Sequence, residues 1–260
     1  MICLPGGPGR AAAYLEDLGG LSTDRTLVML DARATGRSEV PADPTTLRFD
    51  RLADDVEALR VHLALDAADV LAHSAGTIVA QAWASAHPDR VSSLVLVTPS
   101  GRLQGSDRTD VDELVAARAG EPWYADAREA LDALETAPPS QQQTLWRAAR
   151  PFLYGRWDER AQAHAATADR QVSKRAELGF GPVNEQDVDV GALLAGLQEV
   201  RAPVLVVAGE RDALTGIAAA RDVAASFPSA QTVVLPGAGH FPWVDEPAAF
   251  VDVVREFLQK

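Results

Sequence analysis

One feature constrains the fold of this chain more than any other: an alternation of two apolar patterns. Short apolar runs at residues 1–4, 26–31, 70–72, 93–98, 204–208 and 231–235 are separated by stretches with helical spacing. Most of the runs are apolar on both faces, as strands buried inside a parallel sheet are. Between them, Leu52, Val56, Leu59 and Leu63 step by four, three and four positions. Ile78, Val79, Ala82, Trp83 and Ala86 draw a second stripe, and Phe250, Val251, Val254, Phe257 and Leu258 a third. Each stripe buries one helix face. Strand, helix, strand, repeated, predicts an α/β fold with a doubly wound, mostly parallel sheet.

The alternation stops after Thr98 and resumes near Pro203. The stretch 101–200 has no strand pattern and is rich in Ala, Glu, Gln and Arg, so it predicts several helices. It carries three of the five tryptophans (Trp123, Trp146, Trp157) and two of the three tyrosines (Tyr124, Tyr154). The expected organisation is a core of residues 1–100 and 201–260, interrupted by a helical cap over the sheet edge. Its aromatic rings either face a site or pack the cap on itself. With 260 residues, 47% of them hydrophobic, the chain can bury one sizeable core.

A net charge of −13 opposes binding to phosphate backbones and anionic lipid, so no nucleic-acid partner is expected. No run of about 18 apolar residues is present, so no membrane span is expected. The opening MICLPGGPGR lacks a charged start, apolar stretch and cleavage site, so no secretory signal is expected and the reading is cytoplasmic. The single cysteine, Cys3, has no internal disulfide partner and reads as a small apolar thiol in a strand.

Four motifs fall at strand ends. LPGGPG, residues 4–9, follows the first strand; its glycines let backbone N–H groups approach a ligand, as half of an oxyanion hole requires. DARATGRS, residues 31–38, reads as a structured turn in which Arg33 ties Asp31 to neighbouring loops. AHSAG, residues 72–76, joins a strand to a helix and has the form of a nucleophile elbow, with Ala72 where the first glycine usually stands. Such a turn lifts the hydroxyl of Ser74 out of the sheet at a helix N-terminus and aims the N–H of Ala75 at an oxyanion. GERD, residues 209–212, and GAGHFPW, residues 237–243, follow the last two strands. They place Asp212 and His240 on the same sheet edge as Ser74. Glu210 is the competing acid. His62, His87 and His164 sit in or beside helices. His73 adjoins the serine but points to the opposite side if the strand alternates. No metal or nucleotide motif is present, so no cofactor is expected.

With these motifs the chain resembles the α/β-hydrolase superfamily, and within it the proline iminopeptidase group of serine aminopeptidases. The resemblance runs nearly the whole length. PGGPG is similar to that group's HGGPG, with Pro5 in the histidine position. DARATGRS is similar to its DxRGxGxS, with Ala34 in place of a glycine. The family pattern implies Ser74, Asp212 and His240 as a catalytic triad and the N–H groups of Gly7 and Ala75 as oxyanion donors. That group also uses cap carboxylates beside aromatic rings to hold the substrate's free amine. The candidates here are Trp157 with Glu159, and Glu121 near Trp123; Trp243, closing the GAGHFPW motif, is a further substrate-contact candidate. The family carries two strands ahead of the one that begins at Met1. Their absence leaves run 26–31 as an open edge, expected to reflect a truncated product, a covering element, or a homodimer formed there.

The expected reaction is two-step acyl transfer to water on a small-molecule or short-peptide substrate. Three readings follow: an aminopeptidase on amino-acyl amides or peptides, an esterase or thioesterase on a small acyl group, and a non-catalytic binding protein on a hydrolase scaffold. Ser74 at the elbow disfavours dehalogenases and epoxide hydrolases, which place Asp there.

Overall fold

The computed structural model describes residues 1–106, 109–181 and 188–259. Along the chain lie β1 (Ile2–Leu4), β2 (Val28–Met29), α1 (Phe49–His62), β3 (Ala68–His73), α2 (Gly76–Ala86) and β4 (Val91–Val97). Then come α3 (Val111–Ala116), α4 (Tyr124–Leu134), α5 (Pro139–Ala149), α6 (Glu159–Ala166), α7 (Ala168–Gln171), α8 (Lys174–Gly179) and α9 (Val190–Leu197). The chain finishes with β5 (Val204–Gly209), α10 (Gly216–Ala225), β6 (Ala230–Leu235), α11 (Pro242–Asp245) and α12 (Pro247–Leu258). The six strands form one sheet in the order β2-β1-β3-β4-β5-β6, and every pairing is parallel.

Successive side chains of a strand point to opposite faces, and the core divides accordingly. Ile2, Leu4, Val70, Ala72, Leu94, Leu96, Val204 and Val206 join one cluster, with the inner faces of α1, α2 and α9. Cys3, Leu71, Val95, Val97, Leu205 and Val207 join the other, against Tyr14, Trp243, Phe250 and Val254. Both faces are covered, which is why these strands read as unbroken apolar runs. The edge strand β6 is the exception, half-buried or exposed at all positions but Leu235. The other edge, expected at 26–31, forms a ladder only at Val28–Met29. Burial pushes the Cys3 thiol up to about 12, so it stays protonated in its strand.

Three expectations need correction. Leu63 is not on the buried face of α1: the helix ends at His62, Ala64 takes a positive φ of 53°, and Leu63 turns outward. The helix α2 has no solvent face through most of its length, because Gly76 to Ala84 are all buried between the sheet, α1 and α9. The cap also ends sooner than residue 200. Leu193, Leu197 and Val200 pack into the core cluster of α1 and α2, so α9 is a layer of the α/β core.

Candidate active site

The turn between β3 and α2 holds Ser74 at φ +52°, a left-handed conformation that a serine adopts only when its surroundings enforce it. Close approach on both sides supplies that enforcement. A methyl group on Gly6 would lie 2.8 Å from Ser74 Cβ, and one on Gly76 would lie 2.4 Å from Pro5 O. Glycine is therefore the residue that lets the 5–9 loop and the elbow touch. Ala72 lies earlier, inside the ladder opposite Leu4 and Leu96, where a methyl group packs without strain. Ser74 N–H donates to Val97 O at 3.0 Å, and Ser74 sits at the start of an eleven-residue helix.

The 5–9 loop is pinned at residue 6. Gly6 N–H donates to the Tyr14 hydroxyl at 2.7 Å, and Gly6 O accepts from Arg10 N–H at 3.2 Å. Gly7 has φ +122°, open to glycine alone. A cavity of about 30 Å³ flanks this loop, lined by Leu4, Gly6, Ala75, Val79 and Phe180 among others. On the figure of roughly 10–15 Å³ per water, it has room for about two waters.

Asp212 and His240 meet in the structure: His240 Nδ1 donates to Asp212 Oδ2 at 2.9 Å, with both residues buried. Asp212 is also held by Thr215 Oγ1 at 2.6 Å and the N–H groups of Leu214 and Thr215. Burial alone would raise its pKa, but His240, Thr215 and the Leu214 N–H outweigh burial and hold the carboxyl below its ordinary 3.8. Glu210, the competing acid, is exposed and caps Gly237 N–H instead.

His73 points to the side that strand alternation gives it, and the histidine loop lies on that side. Its ring lies 4.7 Å from the His240 ring, and its Nε2 bonds the His240 carbonyl at 2.8 Å. Its Nδ1 meets the Tyr14 hydroxyl at 2.6 Å. Alternation holds to the last residue of β3: His73 pairs with Val97 and faces the same side as Leu71, and the histidine loop, with Phe241 and Trp243, packs on that side. Thr98 Oγ1 donates to the same His240 carbonyl at 3.0 Å, and His240 N–H donates to Leu153 O at 2.8 Å.

The substrate-contact candidates fare differently. Trp243 has no exposed surface. It is enclosed by Tyr14, His73, Phe241 and Phe250, so it is a core residue and contacts no ligand in this arrangement. Glu121 lies 3.4 Å from Arg118, whose guanidinium stacks 4.9 Å from the Trp123 ring centre. Trp157 packs on Tyr154, Asp158 caps α6 through Ala161 N–H, and Glu159 is exposed in the first turn of that helix. The Trp157–Glu159 sequence is thus a helix start, where acidic residues favour the N-terminal dipole. Among the described residues, none of Glu121, Trp157 and Glu159 shares a hydrogen bond, ion pair or ring contact with Ser74, Asp212 or His240. Arg33, expected to tie Asp31, instead forms a two-pronged pair with Asp55, while Asp31 accepts from Ala12 and Arg37 N–H.

Sequence reading also missed Tyr14, Thr215 and Asp245. Asp245 Oδ2 accepts from both Gly155 and Gly239 N–H groups, joining the cap to the histidine loop. Its position three residues after the FP pair of the fourth motif was the available signal. Among the described residues, no helix is long and apolar enough to cross a membrane.

A parallel sheet thus carries a positive-φ serine at the end of β3 and a buried Asp212–His240 pair in the loops after β5 and β6. The chain belongs to the alpha/beta hydrolase fold family, whose model matches residues 1–247, and it is a hydrolase. It is 27% identical to a proline iminopeptidase of Heyndrickxia coagulans, over 99% of this chain and 90% of that one. It is 32% identical to a pimeloyl-[acyl-carrier protein] methyl ester esterase of Chromobacterium violaceum, over 84% of this chain and 80% of that one. The crystal structure of a proline iminopeptidase from Mycobacterium smegmatis superimposes with a TM-score of 0.73, at 25% identity, over 99% of this chain and 88% of that one.

Proposed function

We propose that the protein is a serine hydrolase in which Ser74, His240 and Asp212 transfer the acyl group of a small ester or amide to water. The observation that carries this reading is the conjunction of a positive-φ serine at the elbow with the buried His240–Asp212 pair. Ser74 Oγ attacks the carbonyl carbon as its proton passes to His240 Nε2. Asp212 holds the imidazole with Nδ1–H toward itself and stabilises the imidazolium that forms. The N–H groups of Gly7 and Ala75 receive the oxyanion; each such donor contributes roughly 3 kcal/mol to lowering the barrier. His240 returns the proton to the leaving amine or alcohol. Water then attacks the acyl-serine, its proton passes to His240 and on to Ser74 Oγ, and the acid leaves.

Within this reaction, the relationship to proline iminopeptidases favours an amino-acyl amide or short peptide as substrate. One observation favours the ester reading instead. Glu121, the cap acid beside an aromatic ring, is already engaged by Arg118, and Glu159 faces solvent. The experiment is fluorophosphonate labelling of wild type beside Ser74→Ala, followed by hydrolysis of an amino-acyl amide, its N-acylated form and the matching ester. Labelling that requires Ser74 is expected, and labelling that survives Ser74→Ala sinks the assignment. Loss of hydrolysis on blocking the amine selects the aminopeptidase, whereas preference for the ester regardless of the amine selects the esterase.

A further inference from the structure

We infer that Tyr14 and His73 are positioning residues that couple the two halves of the proposed machinery, the oxyanion loop and the triad histidine, through one buried chain of hydrogen bonds. The inference rests on the serine-hydrolase reading above.

The direction of every bond in this chain is decided by chemistry. A carbonyl oxygen only accepts, so His73 Nε2 carries the hydrogen that bonds His240 O. Burial, reinforced by the neighbouring His240, holds the His73 pKa well below its ordinary 6.5, so the ring is neutral and Nδ1 is the acceptor. The Tyr14 hydroxyl must therefore donate to Nδ1, which leaves its oxygen lone pairs to accept Gly6 N–H. The full path is Gly6 N–H to Tyr14 Oη, Tyr14 O–H to His73 Nδ1, and His73 Nε2–H to His240 O. Each donor and acceptor in it fills a role open to it, the Tyr14 hydroxyl both accepting and donating.

What this path holds still matters for chemistry. The Gly6 carbonyl and the Gly7 N–H share one peptide plane and point in opposite directions. Arg10 N–H fixes the carbonyl end, and Tyr14 fixes the residue's own N–H. Two consecutive glycines would otherwise leave the proposed donor Gly7 free to turn away. At the other end, His73 and Thr98 both grip the His240 carbonyl, which sets where the imidazole stands relative to Ser74. Tyr14 is itself immobilised: it is 1% exposed, with the Arg10 guanidinium 4.1 Å from its ring centre.

The test measures the second-order rate of fluorophosphonate labelling at a temperature where circular dichroism shows each variant folded. Tyr14→Phe removes only the hydroxyl and keeps the ring in place. It is expected to label about tenfold more slowly, a fraction of the roughly 100-fold or greater loss seen when an oxyanion donor is deleted outright. His73→Leu is expected to slow labelling by a similar factor. His73→Gln, which offers both an acceptor and a donor, is expected to recover part of that loss. Because the two residues act as one path, the double variant Tyr14→Phe/His73→Leu should be little slower than either single variant. A purely structural role predicts wild-type labelling rates in every folded variant, and that result overturns the inference while leaving the hydrolase reading intact. Multiplicative losses in the double variant also overturn it. If Tyr14→Phe does not fold, the contrast between His73→Leu and His73→Gln decides, and equal rates refute the path. Failure of wild type to label at all refutes the serine-hydrolase reading and the inference with it.

Discussion

The insertion between β4 and β5 contains two regions that differ in how they join the rest of the molecule. Its inner region, 150–180, is stitched through its main chain to the loops that carry Asp212 and His240. Leu153 O accepts His240 N–H, Gly155 N–H donates to Asp245, and Arg211 donates to Gly155 O. Ser173 N–H donates to Gly9 O and Ala11 N–H to Gln171 O, so the glycine loop is held from the cap side as well. His164, whose pKa burial lowers to about 4, bonds Tyr14 O and the Tyr154 hydroxyl as a neutral ring. The outer region, α4 and α5, is more exposed, and its small cluster joins Ala127 to Val115, to Phe152 of the inner region and to Ala213 beside Asp212. Within these two helices only Ala127, Ala130 and Ala149 are buried, and Trp146 is 41% exposed. The lesson is that "cap" describes a position in the sequence. One part of this insertion is hydrogen-bonded into the loops around Asp212 and His240, and the other reaches them only through a small apolar cluster at Phe152 and Ala213.

The largest test of that contrast is Gly155. Its added Cβ would lie 1.7 Å from Gly237 O, a backbone atom that cannot step aside alone. Gly155→Val is expected to destabilise the fold by about 3 kcal/mol or more in urea unfolding. A variant as stable as wild type would show that the seam between cap and histidine loop is loose.

Asp245 sharpens the comparison through pH. Burial raises its pKa to about 6 from an ordinary 3.8 despite two N–H donors, so the folded state binds its proton more tightly than the unfolded state does. Between about pH 4 and 6 the unfolded chain loses that proton first, and stability falls as pH rises through the window, by about 2–3 kcal/mol in total. Asp245→Asn keeps an acceptor for Gly155 and Gly239 and removes the titration. Its unfolding free energy should lack this part of the slope, and an unchanged slope would show that Asp245 does not supply it.

The smallest effect belongs to the outer region. Trp146→Ala is expected to change stability by no more than about 1 kcal/mol and to leave fluorophosphonate labelling at the wild-type rate. A large drop in either would place α5 in the frame after all.

Much of this was legible along the chain, and the misses have a common cause. Strand runs, glycine turns and the positions of Ser74, Asp212 and His240 are local signals, since apolar periodicity and turn chemistry act over a few residues. Arg33 was paired with the nearer Asp31 when its partner is Asp55, one helix away. Trp243 was read from its place in a motif, whereas its enclosure depends on Tyr14 and Phe250 arriving from opposite ends of the chain. Strand alternation places His73 on the face of Leu71, and only the fold shows that the histidine loop packs on that same face.

By itself, the sequence determined the order of strands and helices, the sharp turn at Ser74 and the edge of the sheet at which Ser74, Asp212 and His240 lie. Those follow from side-chain periodicity and backbone freedom at glycine. Only the tertiary structure decided which buried polar groups complete one another. Tyr14 and His73 lie 59 positions apart, and His73 and His240 lie 167 apart. No local preference links residues so distant. Once packing excludes water from all three, each donor must find an acceptor among the groups the fold has brought beside it.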